Sequence, residues 1–190
     1  MIKSNYDIIL GSQSPRRKEL LATLDIKFDT RVANIEEIYP DTTPNENVAA
    51  FLAELKLSHL QKSQASNELI ICSDTTVLVD HQILNKPKDK NEAALMLGLL
   101  SGKTHNVITA VAMASKQKQV VFQDETLVTF KTINEAEIHY YLENYKPYDK
   151  AGSYGVQEWI GNIAITKMEG SFYTVMGLPT HLIYQALKDW

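Results

Sequence analysis

The stretch from Tyr6 to Arg17 constrains this chain more than any other. A short apolar run, Tyr6 to Leu10, feeds the turn Gly11-Ser12-Gln13-Ser14 and then a helix start. Ser is a favoured N-cap and Pro suits the first helical position, so Ser14-Pro15 predicts a buried strand delivering the chain directly to a helix N-terminus. Leu20, Leu21 and Leu24 carry that helix on at the right apolar spacing.

The rest of the chain repeats the theme without strict alternation. A weaker strand is expected around Lys27 to Val32. Thr43-Pro44-Asn45-Glu46 has capping-box spacing and predicts a second helix burying Val48, Phe51, Leu52 and Leu55. Leu69 to Ser73 reads as a strand, with Thr76 to Val79 continuing it or opening a hairpin toward Ile83. Asp89-Lys90-Asn91-Glu92 caps a third helix, which Ser101-Gly102 ends. His105 to Ala114 and Val120 to Phe130 are two long strands, and Asn134 to Glu137 opens a fourth helix that stops before Pro147. Ile163 to Met168 is a further strand, and Gly177-Leu178-Pro179 turns into a last helix carrying Leu182, Ile183 and Leu187. This mixture favours an α/β sheet protein over a regular doubly wound one.

Composition narrows the class. At 190 residues and 44% hydrophobic, the chain suits one domain over 1–190, or one domain folded as two lobes. Its net charge of -4 argues against a basic face for nucleic-acid phosphates. The single cysteine, Cys72, excludes a disulfide framework and sits in the apolar run Leu69-Ile70-Ile71-Cys72 as a small buried side chain. No apolar stretch approaches the roughly 20 residues of a membrane span. Met1 to Asp7 lack the pattern of a secretory leader, so a cytoplasmic protein with no membrane partner is expected.

Several residues can carry chemistry, each with an ordinary explanation beside the functional one. Two arginines, Arg16 and Arg17, stand in the first turn of a helix whose dipole they oppose, which suggests an anionic ligand at the exposed N–H groups. A solvated helix start would look the same. Lys56 lies on the margin of the apolar face of its helix, where a lysine can also snorkel. Asp74 ends the strand Leu69 to Ser73 and is followed by Thr75. A carboxylate there can hold magnesium or take a proton from water, or can be a plain turn residue. Glu36 and Glu37 are a solvated pair unless the fold brings one beside Asp74. Lys86 precedes a turn proline as surface lysines commonly do, and His105 at a strand start is more often structural than catalytic. In the loop Lys150 to Gln157, two glycines let the backbone approach a flat ligand and Gln157 offers a donor and an acceptor to a base edge. An ordinary glycine turn is the alternative. No phosphate loop of Walker type, metal-binding His spacing, Ser-His-Asp set or Cys-His set is present. Arginines, lysines and acids together fit charge neutralisation around a polyphosphate with a metal and an activated water.

These segments resemble the Maf family nearly end to end: Ser12-Gln13-Ser14-Pro15-Arg16-Arg17, Leu55-Lys56, Ser73-Asp74-Thr75-Thr76-Val77, Lys86-Pro87, Leu100 to Val107, Asp149 to Gln157, Gly170-Ser171 and Gly177-Leu178-Pro179. The resemblance implies a mixed sheet with flanking helices, similar to the inosine triphosphate pyrophosphatases, in two lobes around a cleft. It implies hydrolysis of a nucleoside triphosphate at the α-phosphate, dependent on Mg²⁺ or Mn²⁺, and allows a homodimer. By position, Asp74 resembles the family's proton acceptor, and Ser12, Arg17, Glu37, Lys56 and Lys86 resemble its phosphate- and metal-handling set, with Glu37 and Asp74 as metal ligands. Arg16, Thr75 and Gln157 match the branch acting on dTTP and UTP. A nucleotide-binding regulator of cell division is the alternative role the family name implies. Three neighbours depart from the pattern: Gly11 replaces the usual Ala, Leu57 replaces an Ala, and Cys72-Ser73 stands where Gly-Ala is common.

Overall fold

The computed structural model describes residues 5–190; Met1 to Ser4, part of the N-terminal stretch read above, lie outside the described residues. The elements are β1 (Asp7–Leu10), α1 (Pro15–Ala22), β2 (Phe28–Thr30), α2 (Val48–Gln61), β3 (Glu68–Val79), β4 (Gln82–Leu84), α3 (Lys90–Leu100), β5 (Thr104–Ala114), β6 (Gln119–Phe130), α4 (Glu135–Tyr145), α5 (Trp159–Ala164), β7 (Ile165–Glu169), α6 (Phe172–Val175) and α7 (Thr180–Lys188). The strands form a seven-stranded mixed sheet in the order β2-β1-β3-β5-β6-β7, with β4 paired to β3. The expected α/β class with flanking helices is what forms. No helix among the described residues is long and apolar enough to cross a membrane.

The chain divides into two compact units, and β3, β5 and β6 each contribute residues to both. One unit comprises the described residues through Asp74, with Thr109–Asp124 and Gly177–Trp190. Here β1 runs parallel to both neighbours, pairing Ile8 with Phe28 and Leu10 with Ile71. Parallel strands are covered on both faces, which is why Ile8-Ile9-Leu10 and Leu69-Ile70-Ile71-Cys72 are continuous apolar runs rather than alternating ones. The other unit, Thr75–Ile108 with Glu125–Met176, has its own core of Val77, Leu97, Leu100, Val128, Phe130, Tyr141 and Leu142 among others. Its β3–β4 hairpin turns through Asp80 and His81, both at positive φ, the geometry a two-residue hairpin loop requires.

Local signals succeed where a side chain closes its own backbone. Ser14 accepts from the Arg17 N–H, Asp89 accepts from Glu92 N–H, and Asn134 with Glu137 forms a full capping box. They fail where packing decides. At Thr43 to Glu46 no capping box forms: a 3-10 turn, Asn45–Asn47, intervenes and α2 begins at Val48. The buried face of α2 is Val48, Ala49, Leu52, Ala53, Lys56, Leu57 and Leu60, leaving Phe51 and Leu55 only half-buried. Leu24 lies beyond the end of α1, which stops at Ala22. Thr76 to Val79 does continue the strand and also opens the hairpin toward Ile83, but β3 has no stop at Ser73 and runs unbroken past Asp74. The last strand starts at Ile165 because Trp159–Ala164 is helical, and α6 had no counterpart in the sequence reading.

Two of the departures from the family pattern meet in space. A Cβ on Gly11 would overlap the Cys72 sulfur and lie 2.8 Å from Leu60 Cδ1, so the methyl missing at position 11 is replaced by the thiol across the strand pair. Burial pushes the Cys72 thiol up to about 12, so it stays protonated and acts as packing. Gly11→Ala should destabilise by about 1–3 kcal/mol in urea unfolding. Adding Cys72→Gly should recover part of that loss, so that the double variant is more stable than the two single effects summed. Strict additivity would show that the two positions do not share the space.

The sequence reading of His105 as structural holds. It is fully buried, its Nε2 lies 2.8 Å from the Tyr154 hydroxyl, and its ring packs edge-on against Phe130 and Tyr154. Burial lowers its pKa from 6.5 to about 4. Between those values the unfolded chain binds a proton that the folded chain refuses, so stability is full above about 6.5 and falls as pH drops toward 4. Lowering pH from 7 to 5 should therefore cost about 2 kcal/mol through this group. A His105→Gln variant, less stable at pH 7, should show a correspondingly shallower decline in urea midpoint; an equal slope would rule out His105 as the source.

Candidate active site

The turn between β1 and α1 is built by two serines. Ser12 is buried, and its hydroxyl oxygen accepts the Ser14 N–H at 3.1 Å; the Ser14 hydroxyl in turn accepts the Arg17 N–H at 3.4 Å. Arg17 folds back instead of projecting along the helix axis. Its Nε donates to the Gly177 carbonyl at 2.8 Å and its Nη1 to the Ser73 carbonyl at 2.7 Å. Carbonyls of the protein itself thus compensate part of the Arg17 charge, which neither an anionic ligand nor a solvated helix start had accounted for. Burial pushes the guanidinium below its usual value; the Asp74 charge opposes that drop, Arg16 adds to it, and Glu37 opposes it. Arg16, one residue earlier, is half-buried.

The centre of the site is a lysine in an apolar position. Lys56 is 8% exposed, within the series 48, 49, 52, 53, 56, 57, 60 that α2 buries. An ammonium there loses its hydration and is tolerated only when paired. Two carboxylates supply the pairing: Lys56 Nζ is bonded to Asp74 Oδ1 and lies 2.9 Å from Glu37 Oε1. The expectation that Lys56 sits on the margin of its helix is corrected by this burial. The expectation that Asp74 ends a strand is corrected too, since it lies inside β3, between the part paired to β1 and the part paired to β4. Glu37 comes from irregular chain after β2 and is the member of the Glu36-Glu37 pair that meets Lys56. With Phe51 and Leu55 read as buried, Lys56 falls at the margin of the helix; it is buried because the face at 48, 49, 52, 53, 56, 57 and 60 turns inward instead.

Ser73 was not singled out for chemistry. Its hydroxyl donates to the same Gly177 carbonyl that Arg17 uses, at 3.1 Å. A backbone carbonyl leaves no mark in a sequence, so neither Gly177 nor the Arg17 contacts could be found there.

Thr75, Lys86 and Gln157 belong to the other unit. Thr75 follows Asp74 along β3 and is half-buried, Lys86 is exposed after β4, and Gln157 is exposed. The loop before Gln157 lies between α4 and α5. Its glycines answer to internal packing: a Cβ on Gly152, at φ +66, would lie 3.0 Å from Val77, and one on Gly155 would lie 2.6 Å from Glu158 Cδ. Gly152 N–H also donates to the Asn85 carbonyl at 3.3 Å, tying this loop to the segment that carries Lys86.

No group of three or more His, Cys, Asp or Glu able to hold a metal occurs among the described residues. The pair that does converge, Glu37 and Asp74, offers hard oxygen atoms. Two carboxylates completed by phosphate oxygens and water are the donor set Mg²⁺ or Mn²⁺ takes in nucleotide sites, so these residues fit such an ion.

Lys56→Met leaves Asp74 buried without its ammonium and should destabilise by about 3 kcal/mol. Asp74→Asn should relieve part of this, and a double-mutant cycle should give a coupling of at least about 1 kcal/mol. Additive effects in thermal and urea unfolding would mean that the ion pair does not hold α2 to β3.

The family model described as Maf-like protein matches residues 7–190. The chain is 51% identical over 188 residues to a dTTP/UTP pyrophosphatase of Porphyromonas gingivalis, covering 97% of this chain and 94% of that one. It is 48% identical over 185 residues to a dTTP/UTP pyrophosphatase of Flavobacterium psychrophilum, covering 97% and 95%. Among solved structures it is similar to a nucleoside-triphosphatase / dITP/XTP pyrophosphatase from Mycobacterium abscessus at 16% identity and a TM-score of 0.43, over 67% of this chain and 75% of that chain, a likeness too distant to argue from. On the match along almost its whole length, the chain belongs to the Maf-like protein family.

Proposed function

We propose that this chain hydrolyses dTTP and UTP at the α-phosphate, releasing the monophosphate and pyrophosphate. The observation that carries the reading is the buried Lys56 ammonium held between Asp74 and Glu37, with Arg17 of α1 bonded to the carbonyl of Ser73, next to Asp74 in the chain. Relatives named dTTP/UTP pyrophosphatases, at 44–52% identity, support the substrate class.

The roles follow from the chemistry of each group. Asp74 orients the attacking water and takes its proton on the carboxylate oxygen turned from Lys56. Lys56 fixes the direction of that carboxylate and compensates its charge, and Glu37 shares the same ammonium. Glu37 and Asp74 would hold the divalent ion, which when bound supplies charge to polarise the phosphate being attacked. Ser12, Arg16 and the backbone donors at the start of α1 take phosphate oxygens. Lys86 adds a further positive charge for the polyphosphate. Arg17 contributes by holding the Ser73 and Gly177 carbonyls, which sets the strand that presents Asp74. Arg16, Thr75 and Gln157 set base choice, with the Gln157 amide matching the donor–acceptor edge of thymine or uracil.

A pyrophosphate-release panel of the common nucleoside triphosphates, with and without Mg²⁺ or Mn²⁺, tests this with wild type and Asp74→Asn side by side. The expected result is metal-dependent release concentrated on dTTP and UTP. In the variant kcat should fall by about 100-fold or more while nucleotide binding by calorimetry survives. Near-normal turnover of Asp74→Asn would sink the proton-acceptor role, and silence of the wild type across the panel would sink the activity.

A further inference from the structure

One buried polar cluster in the unit Thr75–Ile108 with Glu125–Met176 has no part in the chemistry above. Tyr141, on α4, is fully buried in the apolar core, with its ring stacked on Tyr145 at 5.1 Å between centroids. Its hydroxyl makes two bonds at once. It accepts the Gly155 N–H at 3.0 Å and donates to Glu158 Oε2. Glu158 Oε1 lies 3.1 Å from Lys150 Nζ, and Lys150, 9% exposed, also bonds Asp149 Oδ1 at 2.7 Å. Glu158 N–H donates back to the Gly155 carbonyl at 3.0 Å. Gly155-Val156-Gln157-Glu158 is therefore a closed turn whose two ends are held by one phenol, with exposed Gln157 at its third position. Gly155 has no room for a side chain against Glu158, so the turn is packed on its inner side as well.

Burying a phenol in an apolar core and pairing it with a half-buried carboxylate and a buried ammonium costs desolvation that aliphatic packing would avoid. What the polar set adds is direction: hydrogen bonds fix the orientation of one backbone turn, where apolar contacts would let it slide. Burial and the bond to Glu158 push the Tyr141 hydroxyl well above the usual tyrosine range, so it keeps its proton and its donor role at any working pH.

We propose that Tyr141 and Glu158 are positioning residues for base selection, clamping the turn that presents Gln157. This rests on the reading that Gln157 contacts the base. A side-chain amide discriminates between base edges only if its donor and acceptor stay where the edge will be, and small displacements of such groups are costly.

The test compares kcat/KM for dTTP with that for dCTP, together with amide exchange across residues 150–158. Tyr141→Phe keeps the buried ring and should fold. It should lower the dTTP-to-dCTP ratio by about tenfold, with the KM for dTTP rising more than kcat falls, and speed amide exchange at the turn. Glu158→Gln retains an acceptor for the phenol and should keep most of the selectivity, whereas Glu158→Ala should lose it; this pair decides the matter even if Tyr141→Phe does not fold. Gln157→Ala separates the layers. If Gln157→Ala relaxes selectivity while Tyr141→Phe and Glu158→Ala leave both selectivity and exchange unchanged, the clamp is wrong and the base-reading role stands. If Gln157→Ala leaves selectivity intact, that role fails and the clamp falls with it.

Discussion

A desolvated ammonium without a partner is among the costliest groups a core can hold, and Lys56 occupies a position that six apolar residues of α2 otherwise fill. The ion pairs it makes join three segments that share no sequence neighbourhood: the second helix, the middle of β3 and the irregular chain after β2. Asp74 can lie inside a strand, buried, only because that charge is there. Glu37 is drawn in by the same charge, although nothing in its own surroundings in sequence predicts an ordered position. Structure and chemistry converge here on one group, since the interaction that holds these elements together also orients the carboxylate proposed to activate water.

Around that cluster a second set of bonds fixes the strand from behind. Arg17 and Ser73 share the Gly177 carbonyl, and Arg17 also takes the carbonyl of Ser73. An arginine bonded through Nε and Nη1 to two backbone carbonyls has less freedom to follow a ligand than an exposed one. The close approach of Gly11 to Cys72, one step along the same strand pair, works at the level of packing: removing a methyl on one strand and adding a sulfur on its neighbour keeps the volume of the layer.

The unit that carries Thr75, Lys86 and Gln157 is stabilised differently. Its core is apolar, but polar groups are bonded at it or beside it where a loop must hold one conformation, as at Tyr141 with half-buried Glu158 and at His105 with Tyr154. The glycines of its loop are needed because side chains of the same unit fill the space beside them, a constraint that reads in the sequence like room for a ligand.

What the sequence determined by itself was everything closed by residues near one another in the chain. Caps at Ser14, Asp89 and Asn134 form as expected, because donor and acceptor are three residues apart and need no tertiary partner. The apolar runs of β1 and β3 marked strands, whose parallel pairing only the fold shows, and the order of motifs from Ser12 to Pro179 marked the family. Tertiary structure decided what depends on distant partners. Whether Thr43 caps a helix, whether β3 stops at Ser73 or runs on, and which face of α2 turns inward all hinge on packing between segments, and local propensity is too weak to settle that. That Lys56 is buried, that Glu37 joins it, and that Arg17 bonds two carbonyls follow from the same cause: the energy of a buried charge is set by the atoms folded against it, and those come from elsewhere in the chain.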